Sequence, residues 1–410
     1  MTVQTMRNID KWFGAPLCFL LSPVSWLSDF LRGAKRKKPD VSNTLFIELS
    51  EMGSALIADP AMRKLKANAD AQLFFVIFKK NYKSLEILKT IDEKNVFKMN
   101  ADNFFSLVKD IFRFMAWTRK NKISTVIDIE LFSRFTALLS FFSGARSRIG
   151  FTNLHDEGLY RGLLINKPVR YNPHVHVAVN FISLVNKSLG LFENAYATIP
   201  VSPAELTLQK ANIDNESTVT VKNKIKKIYT DWQGEKIIIL NVNASDMLPQ
   251  RRWPQENFAL LGQDLLRTYD DIILLLTGAP AEKEYVQKVT DGINDKRCMN
   301  AAGVFSFDEL VPLYALSTCM ITNDSGPAHF AAVTNLKVFV LFGPETPALY
   351  LPLGGHAEPI YLGLPCSPCV SAANHRKTSC ITRPCITGIS PAMVIKKVNT
   401  FLQNEITTVV

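Results

Sequence analysis

The chain has 410 residues and a formal charge of +10, from 47 Lys and Arg against 37 Asp and Glu; at roughly 150 residues per domain that length predicts two or three domains. Apolar types make up 47% and charged types 20%, with 19 Gly and 21 Pro, which excludes a disordered or collagen-like chain and leaves a globular one. The positive charge biases it toward anionic partners, phosphorylated small molecules or acidic lipid, while nucleic acid is not expected, because no zinc-finger, helix-turn-helix or RNA-recognition pattern is present.

The amino end opens on an apolar stretch, Phe13 to Leu31, closed by the cations Lys35, Arg36, Lys37 and Lys38. Residues 1–40 are therefore expected to form an amphipathic, membrane-associating segment. A transmembrane helix needs about 20 mainly apolar residues, and Pro16, Ser22, Pro23, Ser25 and Asp29 interrupt this one. Lying in the membrane interface fits better: Trp12 and Trp26 suit the headgroup boundary, and each cation adds about 1 kcal/mol of attraction to anionic lipid. No small-residue cleavage site follows the run, which argues against a secretory signal. A helix packed on the protein body is the other reading.

From Thr44 short β-rich runs alternate with helical ones. TLFIEL reads as a strand, SEMG as a turn and residues 54–68 as a helix; further strands are read at 71–78 and 124–131, with a helix over 104–120 between them. The same grammar restarts at Lys236 with KIIILNVN and continues at 271–278, 319–324 and 337–343. Such alternation predicts an α/β fold with parallel sheets wrapped by helices. Two Rossmann-like units follow, 41–205 and 235–410, with the polar stretch 203–233 carrying the connection. Ligands of open α/β sheets bind beyond the carboxyl ends of the strands, so a cleft between two such sheets is the default site.

The most informative segment is ITNDSGPAHFAA, Ile321 to Ala332, between a strand and a helical run. Asp324 or Ser325 is placed to cap the helix, Gly326 permits close backbone approach, and Pro327 loses nothing in the first turn. The helix start then offers free N–H groups to a phosphate or diphosphate, and His329, one turn in, either donates to the same oxygens or faces the core. After the strand KIIILNVN, Arg251 and Arg252 stand at a loop-to-helix junction, where a planar guanidinium suits phosphate oxygens. At a third strand end, Thr277 and Gly278 make a small-residue turn, and Glu282 is either a ligand for sugar hydroxyls or a solvated carboxylate. No GxGxxG follows any strand and the Walker A pattern is absent, which weakens a nicotinamide dehydrogenase or a P-loop enzyme.

Seven cysteines, an odd number, point to a reducing compartment. Cys366, Cys369, Cys380 and Cys385 fall in a C-x2-C-x10-C-x4-C pattern with His375 between the pairs. Soft ligands at this spacing suit a structural Zn²⁺, with an iron–sulfur centre weaker and local disulfides or free thiols the alternatives. Cys18, Cys298 and Cys319 read as small buried hydrophobes.

Residues 46–65, 124–151, 251–262 and 321–347 together resemble glycosyltransferase family 9, the heptosyltransferases of lipopolysaccharide assembly. The resemblance implies a GT-B fold, two Rossmann-like domains facing a central cleft, and inverting transfer from a nucleotide-activated sugar without a required metal. It puts the donor, an ADP-heptose-like nucleotide sugar, on the carboxyl-terminal domain. Arg251 matches the family's phosphate-contacting lysine, and Asp324, Ser325, Gly326 and His329 match its donor-binding motif. Together with the basic amino end, it implies a cytoplasmic enzyme, peripheral on the inner face of a bacterial inner membrane, acting on a lipid-linked saccharide. One departure stands out: the family places an Asp, the proposed general base, directly after the first-loop glycine, whereas Gly53 is followed by Ser54. Glu51, Asp128 and Glu130 are the nearby replacements, Glu51 and Glu130 first. A weak or inactive nucleotide-sugar binding homologue, or another GT-B enzyme such as an epimerase, is the alternative.

Overall fold

Strands form where β-branched, leucine and phenylalanine runs are long enough to be covered on both faces by helices, as parallel sheets require. The structure, a computed structural model, describes residues 5, 8–33, 38–152, 160–372, 374 and 376–408, and divides into two units, Met1–Leu208 and Gln209–Val410. Most of the basic stretch, residues 35–37, lies outside the described residues, as does His375.

The first unit holds β1 (Asn43–Ile47), β2 (Gln72–Phe78), β3 (Val96–Met99), β4 (Thr125–Asp128), β5 (Ser147–Thr152) and β6 (Lys167–Arg170), all parallel in the order β3-β2-β1-β4-β5-β6. The second repeats the arrangement with β7 (Lys236–Asn241), β8 (Ile272–Thr277), β9 (Cys298–Asn300), β10 (Cys319–Asn323), β11 (Lys337–Leu341) and β12 (Ala357–Ile360), ordered β12-β11-β10-β7-β8-β9. In each sheet the chain winds outward on one side and then returns to the other. This leaves a topological switch point beside β1 and β4 in the first unit and beside β7 and β10 in the second. The strands absent from the sequence reading, β3, β5, β6, β9 and β12, are short or carry charge, with Lys98, Arg148, Lys167 and Glu358 inside them.

Helix α1 (Ala15–Leu31) is unbroken: Pro16 sits in its first turn and Pro23 is carried inside it, on the exposed side. Gly14, Cys18, Ser22, Ser25 and Asp29 make its buried face. Ser22 Oγ accepts the Leu163 N–H at 2.8 Å and Ser25 Oγ donates to the Leu163 carbonyl at 2.9 Å. Gly162 lies against this seam at φ +61°, and a Cβ there would stand 2.5 Å from the Cys18 carbonyl oxygen, so only glycine allows the approach. Asp29 pairs with Arg148 of β5 at 2.8 Å, both nearly fully buried.

The expected helix over 54–68 is two, α2 (Met52–Ile57) and α3 (Asp59–Asn68). Pro60, whose ring and missing N–H suit a first turn, starts the second, and Asp59 holds Arg63 at 2.8 Å. Helix α4 (Phe104–Lys120) begins where Asn103 Oδ1 accepts the Ser106 N–H at 2.8 Å and buries Leu107 and Phe114 against the sheet. Helix α5 (Arg134–Phe142) follows β4, starting from the side-chain cap of Ser133. The stretch read as a connection contains α6 (Asn215–Ile228), which packs in the second unit against α7 (Phe307–Leu316), where Lys224 meets Glu309 at 2.7 Å.

Candidate active site

In the second unit three strands end on polar residues in register, Asn241 beside Thr277 and Thr322 beside Asn241. Asn241 Nδ2 donates to Thr322 Oγ1 at 3.0 Å and to Ser325 Oγ at 3.3 Å. Asn323 Nδ2 donates to the Val242 and Asn243 carbonyls at 3.1 and 3.3 Å, and its Oδ1 accepts the Trp253 N–H at 2.9 Å. These buried amides fasten the loop after β7 to the loop after β10. A buried network of this kind fixes geometry.

On that frame Arg251 reaches Asp324, Nη1 to Oδ2 3.5 Å, across a gap of more than seventy positions. Its Nε is buried and has no hydrogen-bond partner among the described residues. Arg252 points elsewhere: Nε donates to the Ala244 carbonyl at 2.9 Å, the guanidinium also holds Asp246, and it lies over the Tyr285 ring. Of the two arginines, then, Arg251 serves the DSGPAH loop and Arg252 holds the loop after β7. Arg383, which sequence reasoning missed, donates to the Arg252 carbonyl at 3.2 Å.

The helix after β10, α8 (Gly326–Ala331), is only six residues long, so its dipole is small. Ser325 occupies the cap position, but its hydroxyl makes no cap bond and donates instead to the Asn323 carbonyl at 3.1 Å. Gly326 opens the helix, and a Cβ there would meet only the Phe330 ring at 3.5 Å, an ordinary contact, so the fold itself does not demand glycine. His329 is buried in the helix beside Ala328 and Phe330. Thr277 is buried at the end of β8. Glu282 is engaged within the protein: one oxygen accepts Asn243 Nδ2 at 2.7 Å and the other the Ala279 N–H at 2.7 Å beside Gly278, and each keeps a second accepting position.

In the first unit the ends of β1 and β4 gather carboxyls. Glu130 organises the turn before α2: Oε2 accepts the Leu49 and Ser50 N–H groups at 2.8 and 3.4 Å, and Oε1 accepts the Ser50 hydroxyl. Glu48, buried at 3% exposure, lies close to Glu130 and accepts the Glu51 N–H at 3.2 Å. Burial pushes the Glu48 carboxyl well above the usual range, and the charges of Glu130 and Glu51 push the same way. Glu51 is half-buried at the start of α2, where Ser54 Oγ donates to its Oε2 at 3.1 Å. The serine that replaces the expected base thus touches the neighbouring carboxylate.

Asp128 is the third of the candidate bases. It is fully buried, paired with Arg161 at 2.8 Å, and accepts the Thr136 hydroxyl at 2.9 Å and the Glu130 N–H at 3.2 Å. Burial pushes it up to about 7 against the pull of Arg161. Glu48 and Arg161 were not foreseen. A glutamate inside the apolar run TLFIEL was the available signal for the first, and an Asn closing each of β7 and β10 was the signal for the amide frame.

Among the described residues no three His, Cys, Asp or Glu side chains gather as metal ligands would. Cys385 is buried, Cys369 and Cys380 are half-buried and Cys366 is exposed, all four as free thiols. Burial raises the Cys385 thiol, and the other three cysteines, which lie near it, raise it further. Cys18, Cys298 and Cys319 are buried.

Residues 119–379 match the family described as Glycosyltransferase family 9 (heptosyltransferase). Lipooligosaccharide heptosyltransferase 2 of Haemophilus influenzae is 32% identical over 167 residues, 40% of this chain and 46% of that protein. Lipooligosaccharide heptosyltransferase 2 of Campylobacter jejuni is 28% identical over 178 residues, 42% of this chain and 53% of that protein. The chain thus matches about half the length of these curated relatives. The structure of Escherichia coli ADP-heptose lps heptosyltransferase II superposes with a TM-score of 0.69 at 20% identity, covering 88% of this chain and 99% of that one. That likeness, with the two parallel six-stranded sheets, shows the GT-B fold.

Proposed function

The chain belongs to glycosyltransferase family 9, and from that premise we propose that it is an inverting glycosyltransferase moving a sugar, a heptose as in its relatives' names, from a nucleoside-diphosphate donor to a lipopolysaccharide core or related lipid-linked saccharide. The donor is ADP-heptose-like and binds the second unit. The acceptor belongs to the first unit, and the enzyme works on the inner face of a bacterial inner membrane. The observation that carries the donor half is Arg251 brought to Asp324 by the amide frame, with a buried guanidinium nitrogen that has no hydrogen-bond partner among the described residues. A guanidinium held there suits the charge that grows on a departing diphosphate.

In the transfer the acceptor hydroxyl oxygen bonds to the anomeric carbon as that carbon's bond to the diphosphate oxygen breaks. The electron pair leaves with the nucleoside diphosphate, the configuration inverts, and the hydroxyl proton goes to the Glu51 carboxylate. Glu130 and Glu48 hold the turn that presents Glu51. The test is a thermal-shift screen of nucleotide sugars. A donor at 100 times its dissociation constant stabilises the chain by about 2.7 kcal/mol, and Arg251→Ala and Asp324→Ala each abolish that shift. Full shifts in both variants would remove the donor site from this position.

A further inference from the structure

Helix α1 is turned inside out relative to an ordinary surface helix, with its polar residues packed inward and its apolar ones outward. Ten large apolar side chains between Trp12 and Leu31, Phe19, Phe30 and Leu31 among them, are 44% to 75% exposed. At 100° per residue, the exposed positions sweep about half of the helix circumference, and the one charged residue between Trp12 and Leu31, Asp29, is in the buried seam. We propose that this face is an in-plane anchor for a bilayer surface containing anionic phospholipid, which deepens the membrane location given above.

The arc favours lipid over a protein partner. A partner helix or a second copy covers a stripe about 100° wide, whereas here the apolar surface is nearly twice that and needs a medium that wraps around it. Charge selects the headgroup. Lys11 stands at one end with its ammonium over Trp12, Arg32 closes the other, and the sequence supplies four more cations at 35–38; such a flanked apolar face binds anionic interfaces.

The seam decides orientation. Asp10–Leu31 is 22 residues, about 33 Å at 1.5 Å each, and so long enough to cross a bilayer. Standing upright would take Asp29 from Arg148, and Ser22 and Ser25 from Leu163, leaving the Arg148 guanidinium buried without its counter-ion. The helix therefore lies flat, with the first unit held against the surface.

Flotation of the full chain with phosphatidylcholine vesicles, with and without about 30% phosphatidylglycerol, tests this. Binding is expected to the anionic vesicles and to weaken at high salt, and the double substitution Phe19→Glu, Leu27→Glu is expected to lower partition by about tenfold or more. Quenching by brominated lipids, compared between Trp12→Phe and Trp26→Phe, should put both indoles at one shallow depth. An upright helix would separate them by about 21 Å. Unchanged partition of the double variant, absence of vesicle binding at low salt, or two different indole depths overturns the proposal. A lipid-free dimer that the double variant dissolves also overturns it, by seating a second copy on the face. Vesicle binding does not depend on sugar chemistry: a chain that binds a donor but no vesicles loses only the anchor, and the converse loses only the donor reading.

Discussion

Glu51→Gln is the sharpest test of the chemistry. The substitution keeps the side chain's shape and an oxygen for the Ser54 hydroxyl at 3.1 Å, while removing the group proposed to take the acceptor proton. A positioned general base contributes about 10²- to 10⁴-fold, which is about 3 to 5 kcal/mol in the barrier. Turnover should fall by that factor, read as nucleoside diphosphate released in the presence of a lipid-linked acceptor, with donor KM and melting temperature unchanged. Glu130→Gln is the matched control. It exchanges a carboxylate that accepts from Leu49 and Ser50 for an amide with one accepting oxygen, and each hydrogen bond to a charged group is worth about 1.5 to 3 kcal/mol. Its signature is a lowered melting temperature with the activity loss following from it. Glu51→Gln retaining activity within about threefold, in a range where base loss costs at least a hundredfold, would sink Glu51. A large loss in Glu130→Gln at unchanged melting temperature would move the role there.

Three further outcomes follow from the geometry. The folded Glu48 carboxyl lies above its unfolded value, so the folded state holds the extra proton; its contribution is complete below about pH 4 and is lost as pH rises through the folded value. Urea denaturation should therefore show the unaltered chain losing stability relative to Glu48→Gln as pH rises, and the opposite slope would contradict the assignment. Asp29→Ala strands a buried guanidinium and should cost about 3 to 5 kcal/mol, much of it recovered in the Asp29→Ala, Arg148→Met pair; equal stabilities of the two variants would show that Arg148 is solvated when α1 is loosened. With the diphosphate charge met by Arg251, as proposed, turnover should survive EDTA. Loss of activity restored by a divalent cation would assign that charge to a metal.

The long strands were legible because burial on both faces writes an uninterrupted apolar run, as in KIIILN and QLFFVIF. Helix α4 was legible at both ends, with Asn103 before it and Asn121 after it. The edge strands were not, because an outer strand tolerates the charge that masks its pattern, as Lys167 and Arg170 do in β6. At the site, the motif located Asp324 and Ser325, but which arginine of the pair turns to them depends on the Ala244 carbonyl and Tyr285. No local spacing encodes either contact. Ser22, Ser25 and Asp29 read in sequence as flaws in a greasy helix, and in three dimensions they are its fastening. Polarity says that a residue wants a partner without saying whether the partner is water or protein.

That fastening bears on how the protein can be prepared. Trimming a greasy leader is the usual remedy for poor solubility. Cutting before β1 here would uncover Ala137, Leu138 and Leu164, which pack on Cys18, and would leave an arginine pocket with no acid in it. The shortened chain would be expected to precipitate more readily than the full one, and a detergent or lipid disc that shelters the leader is the better route to a handled enzyme.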